Sequence, residues 1–254
     1  MLTAITRKVS PALGRCALEY LPRQEIDIAN ASQQHQRYEA CLADAGLHVI
    51  SLPPEPDLPD SMFVEDPAVV VDEVAVIARM GNEARRGESA SIAQALSSYR
   101  LLRSMREPAT LEGGDILRIG RQIFAGISNR TNAAGVGQLA SELEPFGYTV
   151  VPVQVNRCLH LKSGCCYLGA GMVLANREWI DTAPFRDFRI VDVASGEPGA
   201  SNVLALSDTI LIPASCPRTA GILERLGFKV QALDISELMK AEAGLTCSSL
   251  IFES

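Results

Sequence analysis

Apolar residues along the chain follow two periods, one typical of helices and one typical of strands. Residues 28–45 place apolar side chains at helical spacing, and Gly46 follows as a stop signal. Residues 69–78 are a β-branched run interrupted by two acidic residues, which predicts a hairpin. This alternation of the two periods predicts an α/β fold. Further helices are predicted over 88–99, 132–146 and 218–226, strands over 2–7, 148–155 and 228–233, and a loop or short helix over 181–188.

A longer period is superimposed on this alternation. Four segments share one layout, consisting of a polar corner, a strand, a short turn, a second strand and a polar loop, and helices follow in most of them. A fifth segment starts with the same kind of corner, and the sequence ends soon after it. Successive corners are about 40 to 50 residues apart, as in repeat architectures. The corners are residues 64–66, 111–115, 160–163, 200–202 and 246–250.

Five such units predict a five-unit pseudosymmetric α/β propeller, in a single catalytic domain over residues 1–254. Because the last unit is truncated, the N-terminal strand would have to complete it, which would close the ring. The competing interpretation is an ordinary α/β sheet with coincidental spacing. In the radial arrangement, equivalent corners converge at one end of the central channel, so residues distant in sequence become neighbours.

Two of these corners carry a cysteine and a histidine. Cys247 lies in a polar turn, whereas Cys165 and Cys166 lie in an apolar run, as structural thiols do. A thiol with a pKa near ~8.5 needs a nearby cation or helix end to become a good nucleophile at neutral pH. His160 is the candidate acid–base partner. Its alternative interpretation is a core histidine between two leucines.

Acidic residues at matching corners indicate the substrate. Guanidinium is planar, permanently charged and rich in parallel N–H donors, so fixed carboxylates are its natural partners. Asp66 and Glu112, from adjacent units, could bind it together. The alternative is a solvated pair of turn residues. The Gly113–Gly114 pair disfavours that alternative, because glycines permit close backbone approach.

Two arginines each follow the second strand of their unit and open a helix. Arg85 and Arg130 could therefore meet a carboxylate at the far end of the substrate. For either arginine alone, the alternative is a residue at a helix start that pairs with surface acids.

Composition narrows the class of protein. The chain has 254 residues and a net charge of −7, which argues against a nucleic-acid partner. No apolar stretch is long enough for a signal peptide or a membrane span, and the seven cysteines are an odd number, so we expect reduced thiols in the cytoplasm. Structural zinc is the competing chemistry. The spacing of Cys158, His160, Cys165 and Cys166 fits no common zinc pattern.

Six short segments match one known family in chain order: 60–66, 84–88, 111–115, 129–132, 159–162 and 246–247. Together they resemble the dimethylarginine dimethylaminohydrolases, which belong to the pentein or guanidine-modifying superfamily. The resemblance implies the five-unit α/β propeller of the pentein fold, a small guanidinium amino acid as substrate, and no cofactor or metal. It leaves a homodimer open.

The resemblance also implies a mechanism. Cys247 would attack the guanidinium carbon of an N-methylated L-arginine, and methylamine or dimethylamine would leave from a covalent thiouronium-type intermediate. His160 would protonate the departing amine and then activate the water that releases citrulline. Glu112 and Asp66 would hold the guanidinium nitrogens.

The resemblance assigns the amino-acid end of the substrate as well. Arg85 and Arg130 would bind the α-carboxylate. Asp60 and the backbone carbonyl of Leu18 would surround the α-amino group, and Glu65 would support the same corner as Asp66.

Three alternatives stay open. An arginine deiminase and an N-hydroxyarginine hydrolase use the same chemistry, although deiminases are considerably longer and carry an inserted helical domain. A non-catalytic pentein that binds ribosomes would lack the set of Cys247, His160 and Glu112.

Overall fold

Copies of one three-stranded sheet build the fold. The computed structural model describes residues 1–206 and 208–254, and in these ranges fifteen strands form five sheets. In sheet order the strands are β15 (Leu250–Glu253), β1 (Leu2–Arg7) and β2 (His48–Leu52); β3 (Ala68–Val70), β4 (Val74–Ile77) and β5 (Leu101–Ser104); β6 (Ile116–Ile119), β7 (Gln122–Ile127) and β8 (Thr149–Gln154); β9 (Cys165–Gly169), β10 (Met172–Ala175) and β11 (Arg189–Asp192); β12 (Leu204–Leu206), β13 (Thr209–Pro213) and β14 (Lys229–Leu233).

Every sheet has the same connectivity. The first strand is antiparallel to the middle one, and the third is parallel to it. A parallel pair needs a crossover, and in four units a helix supplies it. The predicted five-unit pseudosymmetric α/β arrangement is therefore confirmed. The helices are α1 (Ile28–Asp44), α2 (Ser89–Leu96), α3 (Ala133–Leu143), α4 (Leu161–Gly164), α5 (Pro217–Arg225) and α6 (Ser236–Met239).

The crossover between β10 and β11 is the exception. It contains one 3-10 turn, Ala183–Phe185, where the sequence predicts a loop or short helix over 181–188. Phe185 is buried and stacks on Phe124 with ring centroids 4.3 Å apart, so an aromatic contact anchors this short connection to the neighbouring unit.

Local signals set the ends of the helices. Asp27 caps α1 by accepting the Asn30 N–H at 3.0 Å, and the helix ends before Gly46, whose φ is +86°. The helix predicted over 132–146 is α-helical only to Leu143, because Pro145 lacks an N–H and the chain continues as a 3-10 turn. The helix predicted over 88–99 is α-helical over Ser89–Leu96, and a 3-10 turn at Glu83–Glu88 precedes it.

The two ends of the chain share one sheet. β1 pairs antiparallel with β15 and parallel with β2, and the Ser254 N–H donates to the Met1 carbonyl at 2.8 Å. The first strands of neighbouring sheets also meet, since β9 contacts β6 and β12, and β15 contacts β3.

Side chains at the corners link each unit to the next. In most cases a corner oxygen accepts an N–H or O–H from the corner that follows, across 38 to 48 residues of sequence. The fifth corner returns to the first. The contacts are Gly114 N–H to Asp66 (3.0 Å), Leu161 N–H to Asp115 (2.9 Å), Ser201 O–H to the Ser163 carbonyl (2.6 Å), Thr246 N–H to Asn202 (3.0 Å) and Glu65 N–H to the Cys247 carbonyl (3.4 Å).

Apolar faces of the sheets and helices pack into several buried clusters. On α1 the buried face includes Ala31, Tyr38 and Leu42, and on α3 it includes Leu139 and Leu143. Among the described residues, no helix combines the length and apolarity needed to cross a bilayer.

Two glycines of α3 provide a matched test of this packing. A Cβ on Gly135 would lie 1.9 Å from the backbone carbonyl oxygen of Thr110, whereas a Cβ on Gly137 would meet no atom within 4 Å. We expect Gly135→Ala to lower the free energy of unfolding by about 2 kcal/mol or more, because the obstructing atom is backbone. Gly137→Ala should raise it by about 0.5 to 1 kcal/mol. Urea denaturation of both variants measures the difference. Equal effects of the two substitutions would contradict the close helix–corner contact.

Candidate active site

A small cavity of about 20 Å³ lies among the corners. It brings together residues that are up to 230 positions apart in the sequence, from Ala17 to Cys247, as the radial arrangement predicts. Six of the candidate residues line it: Asp60, Asp66, Arg85, Arg130, His160 and Cys247.

Glu112 lies directly behind the cavity, fully buried, at the start of the Gly113–Asp115 turn. Its carboxylate contacts His160 Nε2 at 2.8 Å and accepts the Gly81 N–H at 3.1 Å and the Asn82 N–H at 3.3 Å. Burial alone would raise the pKa of Glu112, but His160 and the nearby arginines lower it to about 2. The carboxylate is therefore ionised. The alternative of a solvated turn residue is wrong.

His160 is held in place by groups from two preceding corners. Its Nδ1 lies 3.8 Å from Asp66 Oδ1, and Asp115 accepts the N–H of the next residue, Leu161. A Cβ on Gly114 would be 2.5 Å from Nδ1, which explains the glycine at this position. Burial would lower the pKa of His160, but Asp66 and Glu112 raise it to about 9. The imidazole therefore carries a proton at neutral pH.

Cys247 lies in the 3-10 turn Thr246–Ser248 that precedes β15. Its sulfur accepts the Gly244 N–H at 3.4 Å. Burial, together with the negative charges of Glu65 and Asp66, raises the pKa of this thiol to about 12. Cys247 is thus a thiol unless a positive charge lies close to it.

Both candidate arginines are buried. Arg85 donates to Glu88 at 3.0 and 2.8 Å and to Asp66 at 2.8 Å. Arg130 donates to Glu112 at 3.1 Å and pairs with Glu19. The interpretation as helix-start arginines on surface acids is therefore wrong for Arg85, and Arg130 has at least one fully buried partner.

Asp60 and Leu18 meet through the backbone of the N-terminal segment. The Asp60 carboxylate, which is buried in the cavity wall, accepts the Ala17 N–H at 3.1 Å, so the segment passes next to the cavity at this point. Leu18 directly follows Ala17, and its side chain packs on the apolar cluster that includes α1. The Leu18 side chain does not line the cavity, so its expected contact would come from the backbone carbonyl.

Glu65 points away from the small cavity. Its oxygens contact Lys162 Nζ at 2.5 Å and the Thr246 hydroxyl at 2.8 Å, and it lines a separate cavity of about 290 Å³. This placement agrees with a supporting role at the corner and not with a direct contact to a ligand beside Cys247. Lys162 was missed by the sequence reasoning, although it stands two residues after His160 in a segment that the family resemblance uses.

The sequence predicts no long-range contact for residues 16–21, which we call the strap. The backbone N–H groups of Glu19, Tyr20 and Leu21 all donate to the Glu242 carboxylate, at 2.6 to 3.1 Å. Glu242 has a left-handed backbone, with φ of +59°, and it also lines the cavity. Contacts across more than 200 residues leave no local signal in the sequence, so only the fold reveals them.

One group of side chains is spaced closely enough to hold a metal ion. The ligand atoms of Asp66, Glu112 and His160 lie within 4.8 Å of one another. Arg85 and Arg130 bind the same carboxylates, so cationic guanidinium groups already satisfy them. Among the described residues, no cysteine joins such a group, and the zinc arrangement around Cys158 does not form.

Five repeated sheets around a partly buried cysteine, a protonated histidine and paired carboxylates define the chain as a pentein-type α/β protein with the site of a thiol-dependent hydrolase. The chain belongs to the dimethylarginine dimethylaminohydrolase family. The family described as N,N dimethylarginine dimethylhydrolase, eukaryotic, matches residues 20–194.

Individual relatives agree with this assignment. The N(G),N(G)-dimethylarginine dimethylaminohydrolase of Streptomyces coelicolor is 40% identical over 250 residues, covering 97% of this chain and 95% of that protein. The protein of the same name from Pseudomonas aeruginosa is 36% identical over 228 residues, covering 89% and 90%. A solved structure of the Pseudomonas aeruginosa enzyme, a cysteine-to-serine mutant complexed with citrulline, superposes with a TM-score of 0.94 at 33% identity and covers 99% of this chain and 100% of its own.

The proton on His160 should make stability depend on pH. The pKa of His160 is about 9 in the folded chain and has its ordinary value of 6.5 in the unfolded chain. Between these two pH values the native state keeps a proton that the unfolded state loses. Its contribution to stability is complete below pH 6.5 and is lost as the pH rises through 9. We expect the loss to be about 3 kcal/mol. Urea denaturation from pH 6 to 9.5 measures it. His160→Gln is the control, and an equally steep fall in that variant would assign the effect to another group.

Proposed function

We propose that the chain hydrolyses N-omega-methylated L-arginine to L-citrulline and methylamine or dimethylamine. The observation that carries this proposal is that Cys247, His160 and Asp66 line one cavity, with ionised Glu112 bound to His160. Membership of the dimethylarginine dimethylaminohydrolase family supports the substrate class.

The buried carboxylates suit a guanidinium ligand. Asp66 and Glu112 already bind guanidinium groups, those of Arg85 and Arg130, through hydrogen bonds of 2.8 to 3.3 Å. A substrate guanidinium presents the same planar set of N–H donors. Asp66 and Glu112 would hold and orient it beside the cysteine. This acidic lining also disfavours an anionic substrate at this end of the cavity.

The first half-reaction begins when the substrate brings its positive charge to the thiol. That charge favours loss of the Cys247 proton to solvent water, which burial and the nearby acids otherwise oppose. The sulfur then forms a bond to the guanidinium carbon, and the bond from that carbon to the methylated nitrogen breaks. His160 donates its proton to the departing amine, which leaves a thiouronium group on the sulfur.

The second half-reaction releases the product. His160, now neutral, accepts a proton from water while the water oxygen bonds to the thiouronium carbon. The carbon–sulfur bond then breaks, the proton that remains on the former water oxygen passes to the sulfur, citrulline leaves, and Cys247 is again a thiol. The proximity of Glu112 stabilises the imidazolium that each cycle restores.

The other end of the substrate is an amino acid. We assign its α-carboxylate to Arg85 and Arg130, and its α-amino group to Asp60 and the Leu18 carbonyl. Asp60, Arg85 and Arg130 line the same cavity as the cysteine. The strap carries Leu18. It lies beside the cavity, because its backbone N–H groups are bound to both Asp60 and Glu242.

The wider setting is also a proposal. All seven cysteines are free, as expected in the reducing cytoplasm. The corner contacts run through all five units, which supports one catalytic domain over residues 1–254. We propose that the reaction uses no cofactor and that the chain does not bind nucleic acid. A homodimer is compatible with these proposals.

A substrate panel tests the activity. Purified protein is incubated with arginine, N-hydroxyarginine, monomethylarginine and asymmetric dimethylarginine, and citrulline is measured. We expect citrulline from the methylated compounds and little from arginine. Cys247→Ser should abolish turnover, because an alcohol cannot replace the sulfur here. Citrulline from arginine alone would indicate a deiminase, and full activity in the serine variant would overturn the mechanism.

Glu112→Gln tests the charge on the acid behind the cavity. The amide keeps the shape but loses the negative charge that holds the proton on His160, so we expect kcat/KM to fall by about 100-fold. Glu83→Gln is the matched control, because the Glu83 side chain is 81% exposed and pairs with Arg86 at the surface. Steady-state kinetics on the preferred methylarginine measure both. Equal activity of the two variants would show that Glu112 has no part in turnover.

A further inference from the structure

We infer that Asn202 is the positioning residue of the nucleophile: it fixes the backbone turn on which Cys247 stands. The inference rests on the proposed role of Cys247 as the nucleophile. Asn202 lies at the fourth corner, 45 residues before the cysteine, and neither the sequence reasoning nor the proposed mechanism gives it a task.

The Asn202 amide holds the residue before the cysteine by two hydrogen bonds. Its Oδ1 accepts the Thr246 N–H at 3.0 Å, and its Nδ2 donates to the Thr246 hydroxyl at 3.3 Å. Asn202 is 5% exposed and Thr246 is 6% exposed, so water competes weakly for these bonds. One side chain therefore fixes both the backbone and the side-chain rotamer of Thr246.

The same amide also packs against Gly244, the residue whose N–H contacts the Cys247 sulfur. A Cβ on Gly244 would lie 2.2 Å from Asn202 Cγ and 2.4 Å from Oδ1, so the Gly244 backbone rests directly on the amide plane. Gly244 donates its N–H to the Cys247 sulfur at 3.4 Å. Asn202 thus contacts the chain at two points, Gly244 and Thr246, both of which lie just before the cysteine.

The chemistry of the corner requires an amide and not an acid. The Thr246 hydroxyl donates its hydrogen to Glu65 at 2.8 Å, so its oxygen is free to accept only from a donor such as Nδ2. At two earlier corners the equivalent acceptors are Asp66 and Asp115. A carboxylate at Asn202 would add a negative charge near Glu65 and would disfavour the thiolate.

Asn202→Ala tests the inference with two measurements. We expect kcat on methylarginine to fall about 10- to 100-fold while KM changes less than about 3-fold, because the nucleophile is misplaced and the binding groups are untouched. We also expect slower alkylation of Cys247 by iodoacetamide, with its pH profile moved to higher pH. Alkylation is followed by mass spectrometry of the C-terminal peptide, and it needs no methylarginine. It therefore tests Asn202 even if the proposed substrate is wrong.

Asn176→Ala is the matched control. Asn176 is 7% exposed and makes one accepting and one donating side-chain bond, to Glu178 and to the Pro198 carbonyl, outside the cavity. It should lose stability with little change in kcat or in alkylation. If Asn202→Ala behaves like this control, the inference is overturned. If Asn202→Ala does not fold, Thr246→Val removes the hydroxyl that contacts both Asn202 and Glu65, and it should slow alkylation while Thr246→Ser restores the rate. Unchanged alkylation in Thr246→Val would also overturn the inference.

Discussion

The Glu112–His160 ion pair is the interaction on which the site depends. An ionised carboxylate that is fully buried is costly unless cations and hydrogen-bond donors surround it. Here His160, Arg130 and the backbone N–H groups of the adjacent residues Gly81 and Asn82 surround it, so its partners come from three different parts of the chain. These partners keep Glu112 charged, and Glu112 in turn keeps the proton on His160. Each group therefore favours the charged form of the other, with Asp66 also raising the pKa of His160 and the arginines also lowering the pKa of Glu112.

The five-unit arrangement supplies these partners. Each corner accepts a hydrogen bond from the next, so the loops at this end of the molecule are fixed relative to one another by buried polar contacts. The same contacts set the distances among catalytic groups. Asp66, for example, binds the Gly114 N–H with one oxygen and Arg85 with the other, so it serves the fold and the site at the same time.

The five-unit fold and the main site residues could be predicted from the sequence, because the repeat is visible in the spacing of its strands and polar corners. The alternation of strands and corners predicted five units, and the corner positions identified the cysteine, the histidine and the two carboxylates. The strap contacts could not be predicted. Glu242 meets the N–H groups of residues 19–21 across more than 220 residues, and no periodicity records that contact. Glu65 shows a second limit, since the sequence placed it at the right corner but could not say on which side of the chain its carboxylate lies.

The protonation states of the two residues proposed to react also determine when the proposed chemistry can begin. His160 already carries the proton that a departing amine needs, while Cys247 is a thiol whose pKa burial raises to about 12. The resting site is therefore ready to act as an acid and not as a nucleophile. Only a ligand that brings positive charge next to the sulfur reverses this, and such a ligand is also the one that the carboxylates bind. A neutral amide or ester would gain neither effect. The charges of these residues thus favour the proposed guanidinium substrates over neutral ones.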